Sequence, residues 1–382
     1  MTTVLGDLSP AAFVREHWQK RPLLIRQAIP GFAGILDRAQ LFALAERTDA
    51  VSRLVVEHPK RRRDRWELHQ GPFSGLADAA LPATHWTLLV QGTENLIPGG
   101  WEILQRFSFL PAARIDDLMI SYAATGGSVG PHEDLYDVFL LQGPGRRRWQ
   151  LSTGGDHAVA EGAPFKVLRS FSAEEEFVLE PGDMLYLPPG VAHCGVAVEP
   201  CMTYSIGFVA PSHEALLQNF LAYLGQRLEP LTDPELVYSD PGLALQKNPV
   251  ELGDQMVDAV ESLVGSIRWE RAQVEEYLGR LLTGPKPHVV FEPPARPLSA
   301  AAFARRLAGR RGRLRLALPT RGLVRGRNVF VNGERHACDA KTVRLFGELF
   351  RARAIALPIA LGASSLAWVY ELYRAGFVAF DA

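Results

Sequence analysis

The chain has 382 residues, of which 47% are hydrophobic and 22% charged, with a formal net charge of −1. That length allows two or three domains with sizeable cores, and the composition excludes a disordered chain. The near-neutral charge excludes a global attraction to polyanions, so any nucleic-acid contact has to be local.

Cys194, Cys201 and Cys338 form no CxxC pair and no even framework, which points to reduced thiols rather than disulfides or a cysteine zinc site. The opening MTTVLGDLSPAAF lacks a basic-then-apolar leader pattern. No apolar run approaches the roughly 20 residues that cross a bilayer, so a soluble cytoplasmic protein with no membrane partner is expected.

Ser9 and Pro10 open a helix as N-cap and first helical residue, and the pattern carries it through Phe13 and Trp18 to Lys20, before Pro22. Leu23 to Ile25 reads as a short buried strand, and Ile35 to Arg47 as a helix. Val51 to Leu68 reads as strands interrupted by Lys60-Arg61-Arg62-Arg63, a charge run expected to be a solvated turn. Trp86 to Gln91 is a strand, Gly99 to Phe109 a helix and Asp117 to Ala123 a strand. From there to Phe208 the chain shows short strands with Gly/Pro turns and no long helix, the pattern of a barrel or jelly roll.

The composition changes after Pro211. His213 to Leu228 is an amphipathic helix, followed by a link with Pro230, Pro234 and Pro241 and two helical segments between Pro249 and Leu282. Five prolines between Pro285 and Pro297 mark a linker. The last segment begins with Arg305, Arg306, Arg310, Arg311, Arg313 and Arg315. It continues with a strand and turn at Val329 to Gly333 and a helix at Lys341 to Arg353. A further helix capped by Ser364-Ser365 and stopped by Gly376 precedes a closing strand, Phe377 to Phe380, giving the outline of a winged helix. The expected fold is α+β: a jelly-roll barrel with N-terminal helices in 1–210, a helical block in 211–285 and a winged-helix-like domain in 286–382. The apolar faces of the helical block are large for its size, so it is expected to pair with itself in a homodimer.

His132 and Asp134 stand two residues apart, so on a strand both side chains share a face and can grip one cation. A third ligand, His193, ends the stretch PGDMLYLPPGVAH, where turn chemistry at Gly182-Asp183 and Pro188-Pro189-Gly190 presents it. An isolated HxD is a common surface pattern. HxD and PGD…H in order within one β-rich stretch supply two histidines and a carboxylate, the facial triad of non-heme Fe(II) oxygenases, with positions left for co-substrate and dioxygen. Zinc is the metal alternative; the lack of paired cysteines and the nearby arginine argue against it. Gly143-Pro144-Gly145 turns the chain and Arg146-Arg147-Arg148 runs back antiparallel; alternation puts Arg147 and Trp149 on one face and Arg146 and Arg148 on the other, solvated one. A guanidinium inside a barrel demands an anion, and a dicarboxylate such as 2-oxoglutarate provides one.

SYAATGGSVGPHEDLYDVFLLQGPGRRRW and PGDMLYLPPGVAHCGVA resemble the JmjC-type, cupin-related 2-oxoglutarate oxygenases, and more narrowly the bacterial ribosomal oxygenases. EHWQKRPLLIRQAIPGF, SRLVVEHPKRRRDRWELHQGPF and WTLLVQGTENLIPGGWEIL extend the likeness over most of the chain. The resemblance implies a barrel with a helical dimerisation block and a C-terminal winged helix, and it does not imply a DNA-binding role for the latter. It implies iron at His132, Asp134 and His193, and Arg147 as the partner of the distal carboxylate of 2-oxoglutarate. It sets Ser121 and Ser205 on the co-substrate pocket; the other reading of these two is hydrogen bonding to buried backbone. It also implies hydroxylation of the β-carbon of an arginine in large-subunit ribosomal protein sixteen, with dioxygen as second co-substrate and succinate and CO2 as co-products. Glu133, Tyr136 and Asp137 lie near the cavity mouth by sequence, where each could dock the substrate or serve the fold. Rival readings are a related oxygenase acting on histidine or demethylating lysine, and a non-catalytic cupin scaffold for a ribosomal or nucleic-acid partner.

Overall fold

A computed structural model describes residues 4–61, 65–76, 80–156, 158–228 and 237–381. Arg62, Arg63, Pro230 and Pro234 lie outside the described residues; Lys60 and Arg61 are exposed, as a solvated turn requires.

The first part carries helices α1 (Pro10–Glu16), α2 (Arg38–Ala45) and α3 (Pro98–Leu104) and strands β1 (Leu23–Ile25), β2 (Val51–Glu57), β3 (Trp66–Gln70), β4 (Trp86–Gln91) and β5 (Ile115–Ala123). Strands β6 (Val138–Gln142), β7 (Arg147–Ser152), β8 (Glu175–Leu179), β9 (Met184–Leu187), β10 (Ala192–Ala197) and β11 (Cys201–Phe208) follow. They form an eight-stranded sheet, β1-β9-β6-β11-β5-β4-β2-β3, and a three-stranded sheet, β10-β7-β8. This is the double-stranded β-helix of the cupin fold.

Period-two alternation assigns the two faces of the large sheet. Leu118 and Ile120 of β5, Phe139 and Leu141 of β6, and Tyr204 and Ile206 of β11 join Phe13, Leu41, Phe42 and Leu104 in the core beneath the helices. Val138 and Leu140 point the other way and meet Trp149, Leu151 and Leu179 of the small sheet. The same inner face carries Asp117, Met119, Ser121, Thr203, Ser205 and Gly207 around a cavity.

Helices α4 (His213–Leu228), α5 (Asp254–Gly265) and α6 (Arg271–Thr283) form the helical block. The last segment holds α7 (Ala300–Ala308), β12 (Arg313–Leu316), β13 (Gly322–Arg325), β14 (Asn328–Val331), β15 (Glu334–Ala337), α8 (Ala340–Ala352), β16 (Ala354–Ala356), α9 (Ala363–Arg374) and β17 (Val378–Phe380). Its sheets are β16-β12-β17 and β13-β14-β15; of the second, the expected outline contains β14 and the turn after it, but not β13 or β15. Among the described residues no helix is long and apolar enough to cross a membrane.

Four local expectations are corrected. Helix α1 stops at Glu16 rather than Lys20, because Gln19 adopts φ of 56° and gives its N–H to the Tyr186 hydroxyl at 2.8 Å. Helix α9 is N-capped by Gly362; Ser365 is buried and bonds Thr342 and Asp339 instead. The Gly143-Pro144-Gly145 turn does not close a hairpin: it carries the chain from β6 in the large sheet to β7 in the small one. Gln142 holds that crossover by donating to the Gly145 and Met202 carbonyls at 2.9 and 3.1 Å. Finally, the His132–Asp134 stretch is not a strand. Only His132 pairs, in a single antiparallel bridge with His193.

Candidate metal and co-substrate site

That bridge brings the two histidines together. His132 N–H donates to the His193 carbonyl at 3.0 Å, and His193 N–H to the His132 carbonyl at 2.8 Å. Their ring centroids lie 4.3 Å apart. Asp134 is tied to the Pro188-Pro189-Gly190 bend, since Gly190 N–H donates to its carbonyl at 2.8 Å. Its Oδ2 lies 3.8 Å from His193 Nε2. One ligand atom from each of His132, Asp134 and His193 falls within 4.8 Å of the others. Upstream, Gly130 has φ of 74° and a Cβ there would come within 2.9 Å of the Trp66 ring, so glycine is what lets the chain turn into the bridge.

The protonation pattern suits a cation. His132 Nδ1 lies 3.0 Å from the Gly130 carbonyl and His193 Nδ1 2.9 Å from the Val191 carbonyl. A carbonyl only accepts, so both Nδ1 atoms carry the proton and both Nε2 lone pairs are free to ligate. Burial, with the His132 ring and Arg147 adding to it, pushes the His193 imidazole down to about 3, which keeps it in the neutral, ligating form. Burial pushes the Asp134 carboxyl up, against His132 and the Tyr136 hydroxyl, which hold it down. A carboxylate desolvated in this way gains from a cation beside it.

The three residues open onto a cavity of about 470 Å³ between the sheets. Arg147 lies on its wall, 3% exposed. One terminal nitrogen donates to the Gly195 carbonyl at 2.9 Å, and the guanidinium carbon sits 5.1 Å from the Trp149 ring centroid. Nε and the other terminal nitrogen are buried without a partner. Gly195 makes room for this: a Cβ there would lie 2.5 Å from Arg147 Nε and 2.7 Å from the Trp149 ring. Arg146 pairs with Glu199 at 3.1 Å on the outside and Arg148 is exposed, as alternation requires.

Ser121 and Ser205 both line the cavity. Ser121 Oγ is 3.5 Å from the Thr203 carbonyl, a long contact. Glu133 and Tyr136 line it too. Asp137 does not: it is fully buried on the opposite side, where it accepts from the Tyr186 hydroxyl at 2.6 Å and Gln19 at 2.9 Å. Three further cavity residues carry buried donors without a partner: Thr203 Oγ1, Trp149 Nε1 and Arg53 Nε. Thr203 shares the face of Ser205 and Trp149 that of Arg147, so alternation identifies both. Nothing in the sequence around Arg53, on β2, signals its place here.

A double-stranded β-helix holding two histidines, a carboxylate and a buried arginine in one cavity defines a JmjC-type non-heme oxygenase. A family model for the JmjC domain matches residues 102–216. The ribosomal protein uL16 3-hydroxylase of Escherichia coli (strain K12) is 31% identical over 378 residues, covering 94% of this chain and 97% of that protein. A probable ribosomal oxygenase of Haemophilus influenzae is 35% identical over 266 residues, 67% of this chain and 63% of that one. Among solved structures, the ribosomal oxygenase YcfD from Escherichia coli in complex with cobalt and 2-oxoglutarate aligns with a TM-score of 0.81 at 30% identity, over 98% of this chain and 99% of that one. The chain belongs to the ribosomal oxygenase family.

The site geometry makes one expectation direct. His132→Ala removes one of three ligand atoms, so Co(II) affinity, read by calorimetric titration, falls by about 100-fold or more while the melting temperature changes little. Unchanged Co(II) affinity would remove His132 from the metal site.

Proposed function

We propose that the chain is an Fe(II)- and 2-oxoglutarate-dependent hydroxylase of a large-subunit ribosomal protein, acting with dioxygen on the β-carbon of an arginine in uL16. The observation that carries this reading is Arg147, a buried guanidinium with two unpaired donor nitrogens beside the His132, Asp134 and His193 cluster. A charge so placed is costly unless an anion meets it. A dicarboxylate answers both features: one end pairs with Arg147, and the keto-acid end reaches the metal.

His132, Asp134 and His193 would hold the iron from one side. Bound there, Fe(II) supplies the redox chemistry that couples loss of CO2 from 2-oxoglutarate to insertion of one oxygen into an unactivated C–H bond. The chain's own contribution is orientation and dryness. Arg147 and Thr203 offer donors to the co-substrate, and Gly195 keeps the arginine in register. Val138, Leu140, Leu89 and Trp149 exclude water from the inner wall. Asp116, Asp117 and Glu133 line the same cavity and complement a cationic substrate side chain. The reading therefore favours arginine over a neutral residue.

The test is the intact mass of uL16 after incubation with the protein, Fe(II) and 2-oxoglutarate in air. A gain of one oxygen, abolished by omitting 2-oxoglutarate, is expected; an unchanged mass across the purified large-subunit proteins would reject the reading.

We further infer a homodimer through the helical block. Helix α5 buries none of its residues, and Met256, Val257, Val260, Leu263 and Val264 stand exposed on it, as do Leu217 and Leu221 on α4. A 12-residue helix without burial is marginal in water, so these faces require a cover. Their cover is a second copy of this chain, and light scattering at micromolar concentration should return twice the chain mass. A monomer there would refute it.

A further inference from the structure

Two basic residues from the far end of the chain reach the back of the acidic cavity wall. Arg321, next to β13, donates to the carbonyl of Ile115 at 3.2 Å and to that of Asp116. It also pairs with the fully buried Glu94 at 3.1 Å. Glu94 in turn accepts from Leu118 N–H at 3.0 Å. The backbone on both sides of Asp117 is thus fixed by one ion pair. Lys286, in the linker after α6, lies 2.9 Å from Asp116 Oδ1 and 3.8 Å from Asp117 Oδ2.

Asp117 and the two cations sit on different sides of this wall, and Asp116 lies between them. Asp116 and Asp117 line the catalytic cavity, whereas Lys286 and Arg321 do not; they line a separate cleft with Asp116, Leu282 and Asn219. Lys286 stands behind two adjacent carboxylates, one of them, Asp117, with its side chain only 11% exposed. Burial does push the Asp117 carboxyl up, and Lys286 is the main influence opposing it.

We propose that Lys286 and Arg321 are positioning residues of the reaction: they clamp β5 from behind, Lys286 through the Asp116 carboxylate and Arg321 through the backbone, so that the Asp117 carboxylate is held in place on the cavity wall for the substrate's cationic side chain. The C-terminal segment and its linker thereby form part of the specificity apparatus of the barrel. This rests on the arginine-hydroxylase reading above, and it assigns the C-terminal segment a role in catalysis rather than in nucleic-acid binding.

Lys286 is partly exposed, so Lys286→Met is the variant that folds most safely; Arg321 is tied to buried Glu94 and is left intact. Full-length protein loaded with Co(II) and 2-oxoglutarate is titrated with two fluorescent uL16 peptides, one with the arginine and one with norleucine in its place. The wild type is expected to prefer the arginine peptide about tenfold. Lys286→Met should reduce that preference to about twofold with norleucine-peptide affinity within twofold of wild type, and Lys286→Arg should restore it. A wild-type preference that survives Lys286→Met overturns the inference alone. Equal loss of affinity for both peptides also overturns it, since the lysine is then merely structural. A wild type that does not distinguish the peptides overturns both the inference and the arginine reading.

Discussion

A guanidinium kept from water with two nitrogens unpaired is an unfavourable arrangement, and the barrel is built so that Arg147 persists in it. Trp149 stacks beside the group, Gly195 leaves the space that a side chain would take, and the Gly195 carbonyl accepts a single hydrogen bond. The remaining donors line the cavity that His132, Asp134 and His193 also line. Such an interior stores a demand for a small dianion that can bridge the two features. On the proposed reading, substrate choice is left to the acidic residues of the cavity wall.

The ligand cluster depends on backbone pairing more than on strand alternation. A single bridge between His132 and His193 staples the Gly-rich loop to β10, and the Gly190 to Asp134 hydrogen bond staples the proline bend to the same loop. Each histidine then bonds the carbonyl two residues before it through Nδ1, which fixes the ring and frees Nε2. The site is therefore rigid before any ligand arrives, which lowers the ordering cost of binding.

Much of this was legible in the sequence. The jelly roll follows from short strands separated by Gly and Pro, and the face that Arg147 and Trp149 share from strand alternation. His132, Asp134, His193 and Arg147 follow from residue chemistry and spacing. What escaped depends on contacts remote in sequence. The HxD stretch looks like a strand, yet its partner is a single residue 61 positions on. The GPG turn looks like a hairpin, but the strands on its two sides, β6 and β7, belong to different sheets. Asp137 looks like a mouth residue three positions from a ligand; Tyr186 and Gln19 draw it to the other face. Arg321 meets the carbonyl of Asp116 across 205 positions, a contact no local pattern could announce.

The central claim is that the metal ligands and Arg147 form one co-substrate site, and the visible spectrum of the anaerobic protein tests it most directly. Fe(II) and 2-oxoglutarate added together to the wild type should give the weak charge-transfer band of a chelated keto acid. Arg147→Met should require far more 2-oxoglutarate for the same band while binding metal as before. A wild type without the band, or an Arg147→Met variant that develops it at the same 2-oxoglutarate concentration, would contradict the account.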